Sequence, residues 1–249
     1  MKKIVLVLPI LCLFLVTTNA QEGEIRIGMQ ASPTFSSMNT NNNNVNRSGT
    51  NLGLKLAMIS EYYFQENYAI TSGIGFHFNS GGRLLYEEPG AYWPNSDLDA
   101  GLDSLAAGVK LRYNLQYVEI PVGIKMRTRE FGYLRYYLEP SLVFGFRSQA
   151  RGDIEGRRFD GNSVGEDGEK IDIREEVGGF NFSWAFGGGV EYTLSGTTSL
   201  LVGLNLQFGV TDVTRNTGVY FDSDRGGEER GEDSAARISA IALKLGILF

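Results

Sequence analysis

The sequence predicts an all-β chain: an eight-stranded antiparallel up-and-down transmembrane β-barrel. Three observations carry this. Large apolar residues alternate with small or polar ones through eight segments, the period of strands with two different faces. Short and long links join these segments in turn, as in barrels that cross an outer membrane. The first 20 residues read as a secretory signal peptide, with Lys2 and Lys3, an apolar run over 4–16, and Thr18-Asn19-Ala20 before Gln21. The barrel domain is then 21–249. Leu11 stands before Cys12, where a lipoprotein signal needs a small residue, so no lipid anchor is expected.

Composition narrows the chemistry. Loss of 20 of the 249 residues leaves 229, and loss of Lys2 and Lys3 takes the net charge from −6 to −8. The single cysteine leaves with the signal, which excludes disulfides, thiolate catalysis and cysteine-bound metal in the mature chain. One histidine, His77, is too few for an imidazole-based metal centre, and no cofactor is expected. The acidic balance argues against nucleic acid as a partner. Glycine supplies 32 of 249 residues, against roughly 7% on average, which speaks against a helix-rich domain.

The first segment, 24–36, sets Ile25, Ile27, Met29 and Phe35 against Arg26, Gly28, Gln30, Ser32 and Thr34. The second, 51–64, sets Leu52, Leu54, Leu56, Met58 and Tyr62 against Gly53, Lys55, Ala57 and Glu61. The third, 68–79, sets Ile70, Ile74, Phe76 and Phe78 against Thr71, Gly73, Gly75 and His77. In the fourth, 110–127, Val118, Ile120, Val122, Ile124 and Met126 alternate with Glu119, Pro121, Gly123 and Lys125. Before Val118 the apolar residues become odd-numbered: Leu111, Tyr113, Leu115 and Tyr117. Either a bulge intervenes or that end projects beyond the membrane, and the sequence leaves both open.

The fifth segment, 134–147, sets Leu138, Leu142, Phe144 and Phe146 against Arg135, Glu139, Ser141 and Gly145. The sixth, 179–194, sets Phe182, Trp184, Phe186 and Tyr192 against Asn181, Ser183, Gly187 and Glu191. The seventh, 199–211, sets Leu200, Val202, Leu204 and Phe208 against Gly203, Asn205 and Gln207. The eighth, 237–249, sets Ile241, Leu243, Leu245, Ile247 and Phe249 against Ala240, Ala242, Lys244 and Gly246. A soluble sandwich would carry abundant charge on its second face. Here that face is small and sparsely charged, as suits the crowded inside of a narrow barrel, and the large aromatic face suits lipid.

Links after the second, fourth and sixth segments are short. The long ones, 39–50, 80–108, 148–178 and 212–235, are expected to be extracellular. They hold 21 acids against 10 bases. Inward charges are expected at Arg26, Lys55, Glu61, Glu119, Lys125, Arg135, Glu139, Glu191 and Lys244, forming a structural network that fills the bore. Within it Lys125, Arg135 and Glu139 are expected close together.

The run Tyr117-Val118-Glu119-Ile120-Pro121-Val122-Gly123-Ile124-Lys125 resembles a strand motif of the PorT-like outer-membrane β-barrel family of Bacteroidetes. Tyr117, Glu119, Ile120, Pro121 and Lys125 carry the likeness. Tyr137-Leu138-Glu139-Pro140-Ser141 resembles that family's next strand, and the C-terminal Phe249 resembles the aromatic end that outer-membrane assembly machinery recognises. The resemblance implies location and fold, in the outer membrane of a Gram-negative bacterium. A role in secretion does not follow from kinship of fold.

Other motifs weigh less. Arg151-Gly152-Asp153 is the adhesive tripeptide of some integrin ligands. Asp160-Gly161-Asn162-Ser163 and Asp222-Ser223-Asp224 offer oxygens to calcium without a complete loop pattern. Tyr86, Tyr92 and Trp93 in the second long link are aromatic candidates either for contact with a ligand or partner or for packing on the barrel rim. The resulting expectation is a non-enzymatic barrel with a structural or binding role through acidic outer loops. Its expected partners are outer-membrane lipid and lipopolysaccharide, the assembly machinery, and a protein at the loops. The alternatives are a narrow pore or transport component, porin-like, and a lipid-modifying enzyme.

Overall fold

Period-two alternation turns every second side chain toward a common axis, and eight strands use it to close a ring. The computed structural model describes residues 23–249; the signal peptide expected at 1–20 lies outside them. The barrel strands are β1 (Glu24–Asn39), β2 (Val45–Gln65), β3 (Tyr68–Tyr86), β4 (Val109–Arg127), β5 (Leu134–Glu155), β6 (Phe180–Ser195), β7 (Thr198–Gly209) and β8 (Arg237–Leu248). Each pairs antiparallel with the next, and β8 returns to β1 with Met29 opposite Ile247. No helix among the described residues is long and apolar enough to cross a membrane.

The outer face is a belt of exposed Ile, Leu, Val, Met and Phe, with Ile25, Met29 and Leu52 each more than 60% exposed. Such a surface is stable only against lipid. Aromatic pairs mark its rims. Phe146 lies 5.6 Å from Phe180 at the long-link end, and Phe64 lies 6.4 Å from Tyr68 at the other. Inside, glycine makes room for larger groups. A Cβ on Gly203 would stand 2.3 Å from the Tyr137 hydroxyl.

The wall is uneven. β2 to β5 run 19 to 22 residues, whereas β7 and β8 have 12 each. This resolves the parity change in β4. Its odd-numbered residues face inward throughout: Lys125 and Glu119 low in the strand, then Tyr117, Leu115, Tyr113 and Leu111 above. The strand outruns the membrane, and the interior turns from polar to apolar. The bulges lie in its neighbours, between His77 and Ser80 in β3 and around Ser148 in β5. Asn79 takes a left-handed backbone there, φ 55°.

Above the belt the inward apolar residues meet the long links in a second core. Leu84, Leu111, Leu115, Trp93, Leu105, Ile173, Val177 and Val213 are all buried in it. The links are thus an ordered cap, and the first three are shorter than the sequence suggested. Strand structure claims most of 39–50 and the first quarter or so of 80–108 and 148–178, leaving 40–44, 87–108 and 156–179 as links; the fourth is slightly longer than expected, 210–236. The physical reason is that the wall residues of this region have cap core to cover. A small sheet joins the second and fourth links, pairing Val219–Asp222 with Glu228–Gly231 and with Gly90–Ala91.

Candidate functional site: the lumen network and the cap

The inward residues of the eight strands bring four acids and four bases together across the bore. Nearest the short turns, Lys125 Nζ lies 2.6 Å from Glu61 Oε1 and also contacts Glu191. Arg26 Nη1 lies 3.3 Å from Glu191 Oε2, and its Nη2 donates to Ser199 Oγ at 2.8 Å and to the Thr197 carbonyl at 2.7 Å. Tyr63 donates to Glu61 at 2.7 Å. Tyr137, Leu201 and Leu248 pack together on the wall at this level.

Higher in the bore, Lys244 Nζ lies 2.6 Å from Glu139, which also accepts from Thr71 at 3.1 Å. Above that, Lys55 Nζ lies 2.7 Å from Glu119 and contacts Gln207. His77 joins this top layer, with Nδ1 3.2 Å from Glu119 Oε1 and Nε2 3.2 Å from Thr34 Oγ1. A cavity of about 80 Å³ lies between the upper two layers, lined by Lys55, Glu119, Glu139, Lys244, Gln207 and Asn205 among others. It is large enough for a few waters.

Arg135 departs from expectation. It stands at the short-turn rim, 2.7 Å from Glu130, and does not join Lys125 and Glu139. The physical reason is its place one residue into β5, where the turn offers a nearer carboxylate. The family-motif residues divide by parity. Tyr117 is buried directly above Glu119, Pro121 lines the bore and Ile120 faces outward. Phe249 is exposed on the outer face, and its backbone pairs both ways with Ile27. Sequence reasoning did not name Tyr63, Tyr137 or Arg127 as lumen groups, although their odd numbers give them the lumen parity. Arg127 stacks 3.7 Å from the Tyr63 ring centroid.

Thr34, His77 and Glu119 form the order hydroxyl, imidazole, carboxylate that activates nucleophiles elsewhere. Thr34 and His77 are shut off from solvent at 0% and 2% exposure, and Lys55 shares the carboxylate. A substrate has no approach to this hydroxyl.

The cap holds a different set. Trp93 Nε1 donates to the Tyr113 hydroxyl at 3.2 Å, which lies 2.9 Å from the Tyr86 hydroxyl, and Tyr86 donates to Glu232 at 2.8 Å. The aromatic candidates Tyr86, Tyr92 and Trp93 are therefore interior, packed on the rim of the tall wall. Burial pushes the Glu232 carboxyl up to about 7, against hydrogen bonds from Tyr86 and Ser234, with Glu176 and Asp212 adding to the rise. Arg151-Gly152-Asp153 lies within β5, paired on both edges, with Gly152 under Trp93; it cannot present an adhesive loop. Among the described residues no cluster of acids or histidine is arranged to hold a metal.

Among solved structures the chain is similar to Neisserial surface protein A, at 10% identity and TM-score 0.43, covering 90% of this chain and 95% of that one. It is similar to Ail of Yersinia pestis at 12% and 0.39, covering 92% and 100%. A major outer membrane protein of Thermus thermophilus gives 12% and 0.44, covering 91% and 99%. No curated protein matches the chain. The model of the outer membrane protein beta-barrel domain matches residues 19–215. With four-fifths of its sequence so matched and its eight strands closed into a ring, the chain belongs to the outer membrane protein beta-barrel domain family.

Proposed function

We propose that this is a resident barrel of a Gram-negative outer membrane, delivered by the N-terminal signal peptide, with the cap outward. It serves as a structural or binding protein and not as a pore. The observation that carries the reading is the bore itself. Four acids and four bases brace it from wall to wall, with the cap core above. An ion crossing it has to break buried pairs, each costly to separate. Partners then meet the ordered acidic cap or the outer wall. The enclosed Thr34 and His77 support a non-enzymatic role. The likeness of 117–125 to the PorT-like strand supports a place among such barrels, and Phe249 supports delivery by the assembly machinery.

Planar bilayers holding the folded mature protein test this. They are expected to stay sealed at voltages that open narrow pores. Reproducible unitary steps would overturn the reading and favour the second one, a gated ion path through the cavity beside Lys55 and Lys244. Release of labelled product from lipopolysaccharide would instead point to an enzyme.

A further inference from the structure

The outer face of the tall wall changes character above the lipid belt. Leu111, Tyr113 and Leu115 face the cap core, so Lys110 and Arg112 of β4 face out. Leu84 and Tyr86 likewise turn Arg83 of β3 outward, and Ala150, Gly152 and Ile154 turn Arg151 and Glu155 of β5 outward. Arg83 stands directly opposite Arg112 in the ladder, a pairing of like charges that destabilises a sheet unless something neutralises it. The neighbouring acids do so only in part. Glu155 lies 3.5 Å from Arg83, and Asp153 lies 3.9 Å from Arg112. Lys110 and Arg151 stand opposite Glu155 and Asp172 in the ladder, but form no ion pair within 4 Å among the described residues. The long links carry a net negative charge, yet this flank of the wall is basic.

Height selects the partner. Arg112 lies six residues beyond Val118 of the belt, about 20 Å along the strand and roughly 15 Å above the belt at the usual tilt. The headgroup layer of an ordinary phospholipid is only about 5–8 Å deep. We propose that Arg83, Lys110, Arg112 and Arg151 form a docking face for the phosphorylated saccharide head of an outer-leaflet glycolipid. The phosphates complete the neutralisation that Asp153 and Glu155 begin.

The proposal rests on the outward placement of the cap, and the test separates the two. The mature protein is folded into vesicles of phosphatidylethanolamine and phosphatidylglycerol, and heat-modifiable gel mobility reports its folding. Its affinity is then measured for purified lipopolysaccharide, intact and enzymatically dephosphorylated. The wild type should prefer the intact form. The triple variant R83Q/K110Q/R112Q should bind it about tenfold more weakly and lose the preference, while E155Q binds more tightly. Equal binding of both forms by the wild type, or unchanged binding by a folded triple variant, would overturn the docking face. Equally tight, phosphate-dependent binding of the soluble saccharide freed of its lipid would overturn the assignment to a glycolipid. A barrel that fails to enter vesicles would instead refute the membrane placement.

Discussion

Lys125 of β4 reaches Glu61 of β2 and Glu191 of β6, two strands that stand diametrically opposite in the ring. One ammonium thus braces the bore across its full width, wholly removed from solvent. Replacement by methionine leaves Glu61 with no cation within 4 Å among the described residues, while Glu191 keeps Arg26. Breaking one side of a buried pair costs about 3–5 kcal/mol. K125M should lower the urea midpoint of vesicle-folded protein accordingly, and K125M/E61Q should recover part of the loss. Equal midpoints for K125M and wild type would refute the brace.

Glu119 gathers Lys55, His77 and Gln207 from three strands. Its removal leaves a lysine beside the cavity with no other acid at hydrogen-bond distance. E119A should cost about 2–4 kcal/mol by the same reasoning, read as an earlier transition on heating. A melting temperature equal to that of the wild type would count against the upper layer as a stabilising element.

Glu232 makes the cap sensitive to pH. Its carboxyl rises from 4.5 to about 7 because it is buried, facing Tyr86, Tyr113, Tyr92, Glu176 and Asp212, with no ion pair within 4 Å among the described residues. The folded cap therefore holds the proton more tightly than the unfolded chain does. That stabilisation is complete below pH 4.5 and fades as pH rises through about 7. Hydrogen exchange of residues 228–236 should quicken from pH 5.5 to pH 8, beyond its intrinsic dependence, by the equivalent of about 2 kcal/mol. E232Q should abolish that excess; a variant that retains it would show another group to be responsible.

Gly152 admits Trp93 to the cap. A Cβ there would meet the indole at 2.3 Å, a rigid ring with Ile173 behind it. With Trp184 changed to Phe, Trp93 alone reports on the cap. G152A in that background should shift its emission to the red and cost about 1–3 kcal/mol of cap stability. Emission held at the buried position would mean that the ring has somewhere else to go.

The alternation of β1, β6 and β8 was legible in the sequence because their inner sides stay small or polar over nearly their whole length, β1 and β8 reaching the cap core only at Met38 and Ile238. β4 was ambiguous because its inner side passes from polar bore to apolar cap, so the same parity carries Lys125 at one end and Leu111 at the other. Glu61, Glu119 and Glu191 could be placed in the bore by parity. Their partners depend on which strands stand opposite, which only closure of the ring decides, as Arg135 illustrates by turning to Glu130. Glu232 and Glu176 lay in links where no period operates, and their burial arises from packing among three links.

The tall wall also has a mechanical meaning. β3, β4 and β5 run without interruption from the short turns to the cap. A pull on whatever grips the tip is transmitted along these strands and loads their cross-strand hydrogen bonds together in shear, not one at a time as in peeling. The barrel is in this sense a stiff post: any load placed on the cap is carried down the wall and away from the tip.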